Sequence, residues 1–311
     1  MSTTVALISA RISDWLGLIR FSHTIFALPF ACLASVMAYA TPMPSGERVD
    51  FSAFAIIGVL GCMVFARSAA MAFNRLVDRE IDRRNPRTAN RHLAAGLISV
   101  RGAWWFTFAC SAGFVLCTLF FLPNWLPIFF SLPVLLFLCG YSLAKRFTFA
   151  AHLWLGIALS LSPLCVWMAI RGPESVTDWA DWFPPLVLAA GIAAWVTGFD
   201  IIYACQDADF DSDEGLQSIP ARFGVEGALR LSMISHLLML IFLFVLPFLA
   251  PAIDLGVIYL LGMTLVAFLV IRQHSLVSAD DLGRVNEAFF NANAWISVIL
   301  LVVGSIDTLI R

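Results

Sequence analysis

Asp78 and Asp82 stand four residues apart, and so do Asp207 and Asp211. On a helix, side chains four residues apart share a face, so each pair can turn two carboxylates toward a common target. Two such pairs could hold divalent cations between them. Mg²⁺ takes oxygen ligands, keeps several waters and is commonly held by one or two carboxylates together with the phosphates of a substrate. Arginines crowd the first pair, at positions Arg75, Arg79, Arg83, Arg84, Arg87 and Arg91. Acid, metal and base in one place point to a diphosphate. The neighbouring Asp209, Asp213 and Glu214 fit a solvated loop face instead.

The elements that must position these groups are membrane helices. With 60% hydrophobic residues, 13% charged and a mean hydropathy of +0.88, the chain is too apolar for a soluble domain, in which about a quarter of residues are charged. A spanning helix needs roughly 20 largely apolar residues, and the segments that qualify are about 18–40, 51–74, 102–122, 125–144, 150–170, 184–204, 230–250, 255–272 and 288–309. The expectation is an all-α, polytopic bundle of nine transmembrane helices with a central cavity. Two long loops, 75–101 and 205–229, carry the aspartate motifs. Met1 to Asp14 is polar and does not resemble a cleavable signal, and the first apolar span is long enough to stay as an anchor.

Asp78 to Asp207 and Asp82 to Asp211 are the same interval, which suggests a pseudo-repeat of four-helix units within one domain over 1–311 rather than two domains. Of the 19 Lys and Arg residues, all but Arg48, Arg171 and Arg311 fall on the side of the N-terminus and the motif loops. By the positive-inside rule that side is cytoplasmic, in a cytoplasmic (inner) membrane, with the C-terminus outside. The net charge of −2 says little, because the charges sit in a few loops; no nucleic-acid partner is expected. The seven cysteines lie in or beside apolar spans with no Cys-x-x-Cys pair, and read as packing residues. His23, His152 and His236 read as hydrogen-bonded packing residues, and Trp15, Trp125 and Trp182 as parts of interfacial belts.

The run Asn74-x-x-x-Asp78-x-x-x-Asp82, continued by Arg87-Thr88-Ala89-Asn90-Arg91 and Ala95-Gly96, resembles the first signature of the UbiA superfamily of membrane aromatic prenyltransferases. Tyr203-Ala204-Cys205-Gln206-Asp207-x-x-x-Asp211 resembles the second, and Tyr141-x-x-x-Lys145 resembles the family's Tyr-x-x-x-Lys motif. Three motifs in order, after the second, fourth and sixth spans, cover essentially the whole chain. The resemblance implies a Mg²⁺-dependent reaction between a polyprenyl diphosphate, its tail in the bilayer, and an electron-rich aromatic ring. The metal stabilises the departing diphosphate, nearby cations stabilise charge developing on its oxygens, and apolar walls exclude water.

By motif position, Asp78, Asp82, Asp207 and Asp211 look like catalytic ligands of the metal or of its bound water, with Asn74 as a further oxygen ligand or hydrogen-bond partner. Lys145, the only lysine, and Arg146 would contact diphosphate oxygens beside Tyr141 and Tyr203, with Arg87 and Arg91 closing over them. An interfacial anchor is the other reading of Lys145. Arg67, inside an apolar span, must meet an anion: a substrate carboxylate, a diphosphate, or an aspartate of the protein. Arg20 could meet an aromatic acid or anchor the first helix. Two positions depart from the family pattern. Arg75 stands where many members carry Asp, which puts the metal-ligand count in question, and Gln217 stands where many carry Lys.

The phrase around Arg79-Glu80-Ile81-Asp82 resembles the 4-hydroxybenzoate polyprenyltransferase-like branch, which serves ubiquinone synthesis and includes members linked to menaquinone by the futalosine route. The expected acceptor is therefore a small aromatic acid such as 4-hydroxybenzoate, with a dihydroxynaphthoate-type menaquinone precursor as the alternative. Branches acting on haem or chlorophyll precursors or on lipid ethers rank lower. From another class, an ion-coupled transporter also uses intramembrane acids around an internal repeat, but here the acids lie at helix ends among arginines.

Overall fold

The structure, a computed structural model, describes residues 14–19 and 28–311. All regular structure among them is helical. We label the main helices α1 (Leu28–Ala40), α2 (Ala53–Arg84), α3 (Val100–Cys117), α4 (Leu126–Ala144), α5 (Ala151–Arg171), α6 (Phe183–Ala204), α7 (Ile219–Leu249), α8 (Val257–Ser275) and α9 (Asn293–Leu309). From α2 onward, eight helices among the described residues are long and apolar enough to cross a membrane, while α1 has 13 residues. Much of the remainder of the expected 18–40 span, with Arg20 and His23, lies outside the described residues.

Two expected boundaries are corrected. The second span was expected to end at Asn74, but α2 continues to Arg84. Hydropathy marks where the chain leaves the apolar layer, not where its helix stops. At 32 residues, α2 is about 48 Å long by helical rise, well beyond a hydrocarbon core of about 30 Å. Ser52 caps its start by accepting a hydrogen bond from the Ala55 N–H at 3.2 Å, and Arg83 and Arg84 in the last turn complement the negative end of its dipole. The first aspartate motif is therefore on a helix rather than in a loop. The second expected loop is also mostly helical, with a 3₁₀ turn at Cys205–Asp207, a short helix at Ala208–Asp213, and α7 starting at Ile219 rather than near 230. Gly215, with positive φ, supplies the bend before α7, and Gly224, also with positive φ, kinks α7 within its first turns.

Burial in lipid gives apolar helices no reason to prefer one another over lipid tails, so close packing and hydrogen bonds must close the bundle. Small residues allow this around α6, the most enclosed of the spans. A Cβ at Gly156 of α5 would meet the Ala193 carbonyl oxygen of α6 at 2.4 Å, and one at Gly198 of α6 would meet the His236 ring of α7 at 2.6 Å. The main core joins α1, α5, α6, α7, α8 and α9 around Trp167, Trp195 and Tyr259. The polar atoms of the last two are satisfied, Trp195 Nε1 donating to Asn293 Oδ1 at 2.9 Å and Tyr259 OH to the Leu243 carbonyl at 2.9 Å. Phe129, Leu132, Leu136, Leu237, Leu261 and Phe268 face outward, where lipid replaces water. All seven cysteines are free thiols, as expected of packing residues.

At the end of the bundle away from the motifs, Arg171 is fully buried. It pairs with Asp181 and donates to the carbonyls of Ala38, Thr41 and Pro42 at 3.1, 2.7 and 2.9 Å. Trp167 Nε1 donates to the same aspartate at 3.0 Å, and its ring lies 4.7 Å from the guanidinium carbon.

Candidate functional site

The last three turns of α2 present Asn74, Asp78 and Asp82 on one face, as their spacing predicts. Asn74 Nδ2 donates to Asp78 Oδ2 at 2.8 Å. Arg146, just past α4, reaches across to Asp78 Oδ1 at 2.9 Å and to the Val77 carbonyl at 2.7 Å. Asp82, buried, is held by Arg91 at 2.6 Å and by Arg75 at 3.7 Å. Arg75 thus replaces the expected carboxylate with a buried cation that turns back on its own motif, donating also to Asn74 Oδ1 at 3.2 Å. The loop after α2 is tied down by Thr88, whose hydroxyl donates to the Asp82 carbonyl at 3.0 Å.

The second motif starts on α6 and crosses the 3₁₀ turn. Arg87 forms a two-point pair with Asp207, Nη2 to Oδ2 and Nε to Oδ1 at 2.8 Å, while Asn85 Nδ2 donates to the same Oδ1 at 3.0 Å. Arg87 also donates to the Tyr203 hydroxyl at 3.0 Å and lies over that ring, 5.1 Å from its centroid. Burial works against the charge of Arg87, but the hydrogen bonds and negative charge of Asp207 outweigh it, so its pKa lies above the ordinary arginine value. Lys145 Nζ donates to Asp211 Oδ2 at 3.1 Å, and the Lys145 carbonyl accepts from the Gln217 N–H at 2.6 Å. Gln217, where the family pattern has a lysine, therefore joins the loops after α4 and α6 through its backbone.

Asn74, Asp78, Asp82, Arg87, Arg91, Tyr141, Lys145, Arg146, Tyr203, Asp207 and Asp211 all line one polar cavity of about 210 Å³. Among the described residues no three His, Cys, Asp or Glu side chains form a metal-sized cluster. Each of the four motif carboxylates faces its own cation, Asp78 to Arg146, Asp82 to Arg91, Asp207 to Arg87 and Asp211 to Lys145. The donors are nonetheless all hard oxygens on facing elements, the chemistry that suits Mg²⁺.

Beneath the polar cavity lies an apolar one of about 180 Å³, lined mainly by α2, α4 and α5. Tyr141 and Leu155 line both. Arg67 projects into the apolar cavity, with no hydrogen bond or ion pair among the described residues and its Nε buried without a partner. A structural pair with an aspartate is therefore not what holds it. Arg20, the remaining candidate, lies outside the described residues.

Sequence reasoning missed Asn85 and Asp200. Asn85 ends α2 and carries its hydrogen bond from the first motif to the second. Asp200 lines the polar cavity two turns before Asp207. A signal existed, since an acid inside an apolar span is expensive and so suspect. Its partner is His152, read as a packing residue and found fully buried, with Nδ1 at 2.7 Å from Asp200 Oδ2.

A profile described as the UbiA prenyltransferase family matches residues 15–297. A 4-hydroxybenzoate octaprenyltransferase of Nitrosomonas europaea is 35% identical over 82% of this chain and 82% of its own length. One from Xanthomonas oryzae pv. oryzae is 30% identical over 76% and 74%. The apo structure of a UbiA homologue from Aeropyrum pernix K1 superposes with a TM-score of 0.78 at 33% identity, covering 92% of this chain and 97% of the other. A UbiA homologue from Archaeoglobus fulgidus bound to GPP and Mg²⁺ shares the fold, with a TM-score of 0.64 at 17% identity over 94% and 98%.

Proposed function

The chain belongs to the UbiA prenyltransferase family, and we propose that it transfers a polyprenyl group from polyprenyl diphosphate to the ring of a small aromatic acid, with 4-hydroxybenzoate as the reference acceptor. The observation that carries this reading is the stacking of two cavities, a polar one lined by both aspartate motifs and an apolar one holding Arg67, which has no ion pair among the described residues, joined at Tyr141. The relatives named 4-hydroxybenzoate octaprenyltransferase support the acceptor.

Asn74, Asp78, Asp82, Asp207 and Asp211 would hold Mg²⁺, which when bound with the diphosphate offsets the charge that builds on its oxygens. Arg87, Arg91, Lys145 and Arg146 already reach into the same cavity. Each is engaged with an aspartate and can exchange that partner for a diphosphate oxygen, a charge-assisted bond of the same kind. The apolar cavity takes the prenyl chain and keeps water from the allylic carbon. Arg67 takes the acceptor's carboxylate, because a cation in apolar surroundings is costly unless an anion meets it. Its two-pronged guanidinium matches a carboxylate better than a point charge would. The predominance of Arg and Lys on the motif side supports placing the site at the cytoplasmic face.

A mass-spectrometric assay of the purified chain tests the reading. Geranyl or longer prenyl diphosphate is supplied with 4-hydroxybenzoate and 1,4-dihydroxy-6-naphthoate side by side, with Mg²⁺ or EDTA. The expected result is a Mg²⁺-dependent prenylated 4-hydroxybenzoate. Preference for the naphthoate would move the chain to the menaquinone branch, and no product with either ring would remove aromatic prenylation.

A further inference from the structure

Asp200 differs from the four motif aspartates in what holds it. They face arginine or lysine, whereas Asp200 pairs with no arginine or lysine among the described residues. Its one partner is His152, whose Nδ1 lies 2.7 Å from Oδ2. The N–H of Ile219, at the start of α7, points at Nε2 of the same ring at 3.4 Å. Nε2 is therefore the acceptor, and the ring proton sits on Nδ1 and is donated to Asp200. The ring is fully buried, while the Asp200 side chain keeps 24% exposure and lines the polar cavity with its Oδ1 unpartnered among the described residues. It shares the cavity lining with Arg75, Asp78, Asp82, Arg87, Arg91, Tyr141, Lys145, Arg146, Tyr203, Asp207 and Asp211.

This is the arrangement of a positioned base. A carboxylate facing a guanidinium gives up an ion pair when it takes a proton. One held by an imidazole N–H keeps its hydrogen bond and presents its second oxygen outward. Asp200 also opens onto the cavity beside Tyr141, which borders the compartment of Arg67. An acceptor anchored by its carboxylate on Arg67 would place its ring at that junction.

We propose that Asp200 is the proton acceptor of the transfer and His152 its positioning residue, an inference that rests on the function proposed above. The carbon–oxygen bond of the prenyl diphosphate breaks, with both electrons leaving on the diphosphate. A ring carbon beside the hydroxyl supplies the pair for the new carbon–carbon bond. The proton on that carbon passes to Asp200 Oδ1, its C–H pair restoring the aromatic ring, and then leaves through the polar cavity.

The test compares wild type with Asp200→Asn, using geranyl diphosphate and 4-hydroxybenzoate, either unlabelled or deuterated at the ring carbons beside the hydroxyl. In the variant kcat falls about 10²–10⁴-fold, the usual range for loss of general acid–base catalysis. Both KM values stay within a few-fold, and a primary isotope effect larger than that of wild type appears as proton loss becomes limiting. In Asp200→Ala, added formate restores part of the turnover, a response that a purely structural role would not give and that is readable even if the variant is less stable. Wild-type turnover in Asp200→Asn, or a slow variant with no isotope effect and no formate rescue, overturns the role of Asp200 while leaving the function intact. A wild type that prenylates no aromatic acid overturns the function and this role together.

Discussion

The two ends of the bundle each carry an Arg–Asp pair, one fully buried and one at the edge of a cavity, and the two pairs are built for opposite purposes. Arg171 spends its guanidinium on Asp181 and on three backbone carbonyls of the α1 end, under a tryptophan ring. Its partners are fixed by the fold, so the pair has nothing to exchange. Arg87 instead shares Asp207 with Asn85 and touches Tyr203, at the edge of a cavity and with 28% of its side chain exposed. Its partner is one that a ligand can replace. An Arg–Asp pair inside the bundle thus signals stability or function according to whether its remaining donors are closed off by backbone or open to a cavity.

Substitutions at each end sharpen that contrast. The largest effect expected is on stability, at Arg171→Ala. It strands Asp181 without its cation and should cost about 3–5 kcal/mol, as when one partner of a buried pair is removed; denaturant unfolding in detergent measures it. Unchanged unfolding would mean that the knot does not secure the α1 end. At the other end, Asp207→Ala should cut turnover by on the order of 10²–10³-fold, the scale for losing one preorganised electrostatic group, with unfolding little changed. A stability loss matching that of Arg171→Ala would erase the distinction between the two pairs. A third, smaller effect belongs to Arg67→Ala. Loss of a charge-assisted bond of about 1.5–3 kcal/mol should raise the acceptor KM by roughly 10–100-fold and leave the prenyl diphosphate KM near wild type. An equal rise in both would place Arg67 on the diphosphate instead. The smallest is Glu226→Ala, which removes an exposed i,i+4 partner of Arg230 and should shift stability by no more than about 0.5 kcal/mol.

The sequence was most legible where chemistry and periodicity coincide. Asn74, Asp78 and Asp82 had to share a face if helical, and the 129-residue step from Asp78 to Asp207 placed the second motif four helices on. Tyr141, Lys145 and Arg146 line the same cavity, as expected from their position at the end of the fourth span. Helix ends were less legible, because α2 is continued past Asn74 by backbone hydrogen bonds that hydropathy does not register. Pairings across the bundle were not legible at all. Asp200 and His152 are 48 positions apart on different helices, and neither carries a local signature beyond being polar in an apolar span. The same holds for the assignment of each motif aspartate to its own cation, which depends on how the loops after α2 and α4 fold back.

Arg75 has one further consequence, in electroneutrality. With it in place, the described residues lining the polar cavity include five bases, Arg75, Arg87, Arg91, Lys145 and Arg146, and five acids, Asp78, Asp82, Asp200, Asp207 and Asp211. Their formal charges sum to zero, so these ten groups carry no surplus of positive charge with which to receive a multiply charged anion on their own. On the proposed function a diphosphate would therefore arrive with its counter-charge, and its apparent affinity should climb steeply with the free concentration of divalent cation. Metal supply, rather than prenyl diphosphate supply alone, would then set how often the site is loaded.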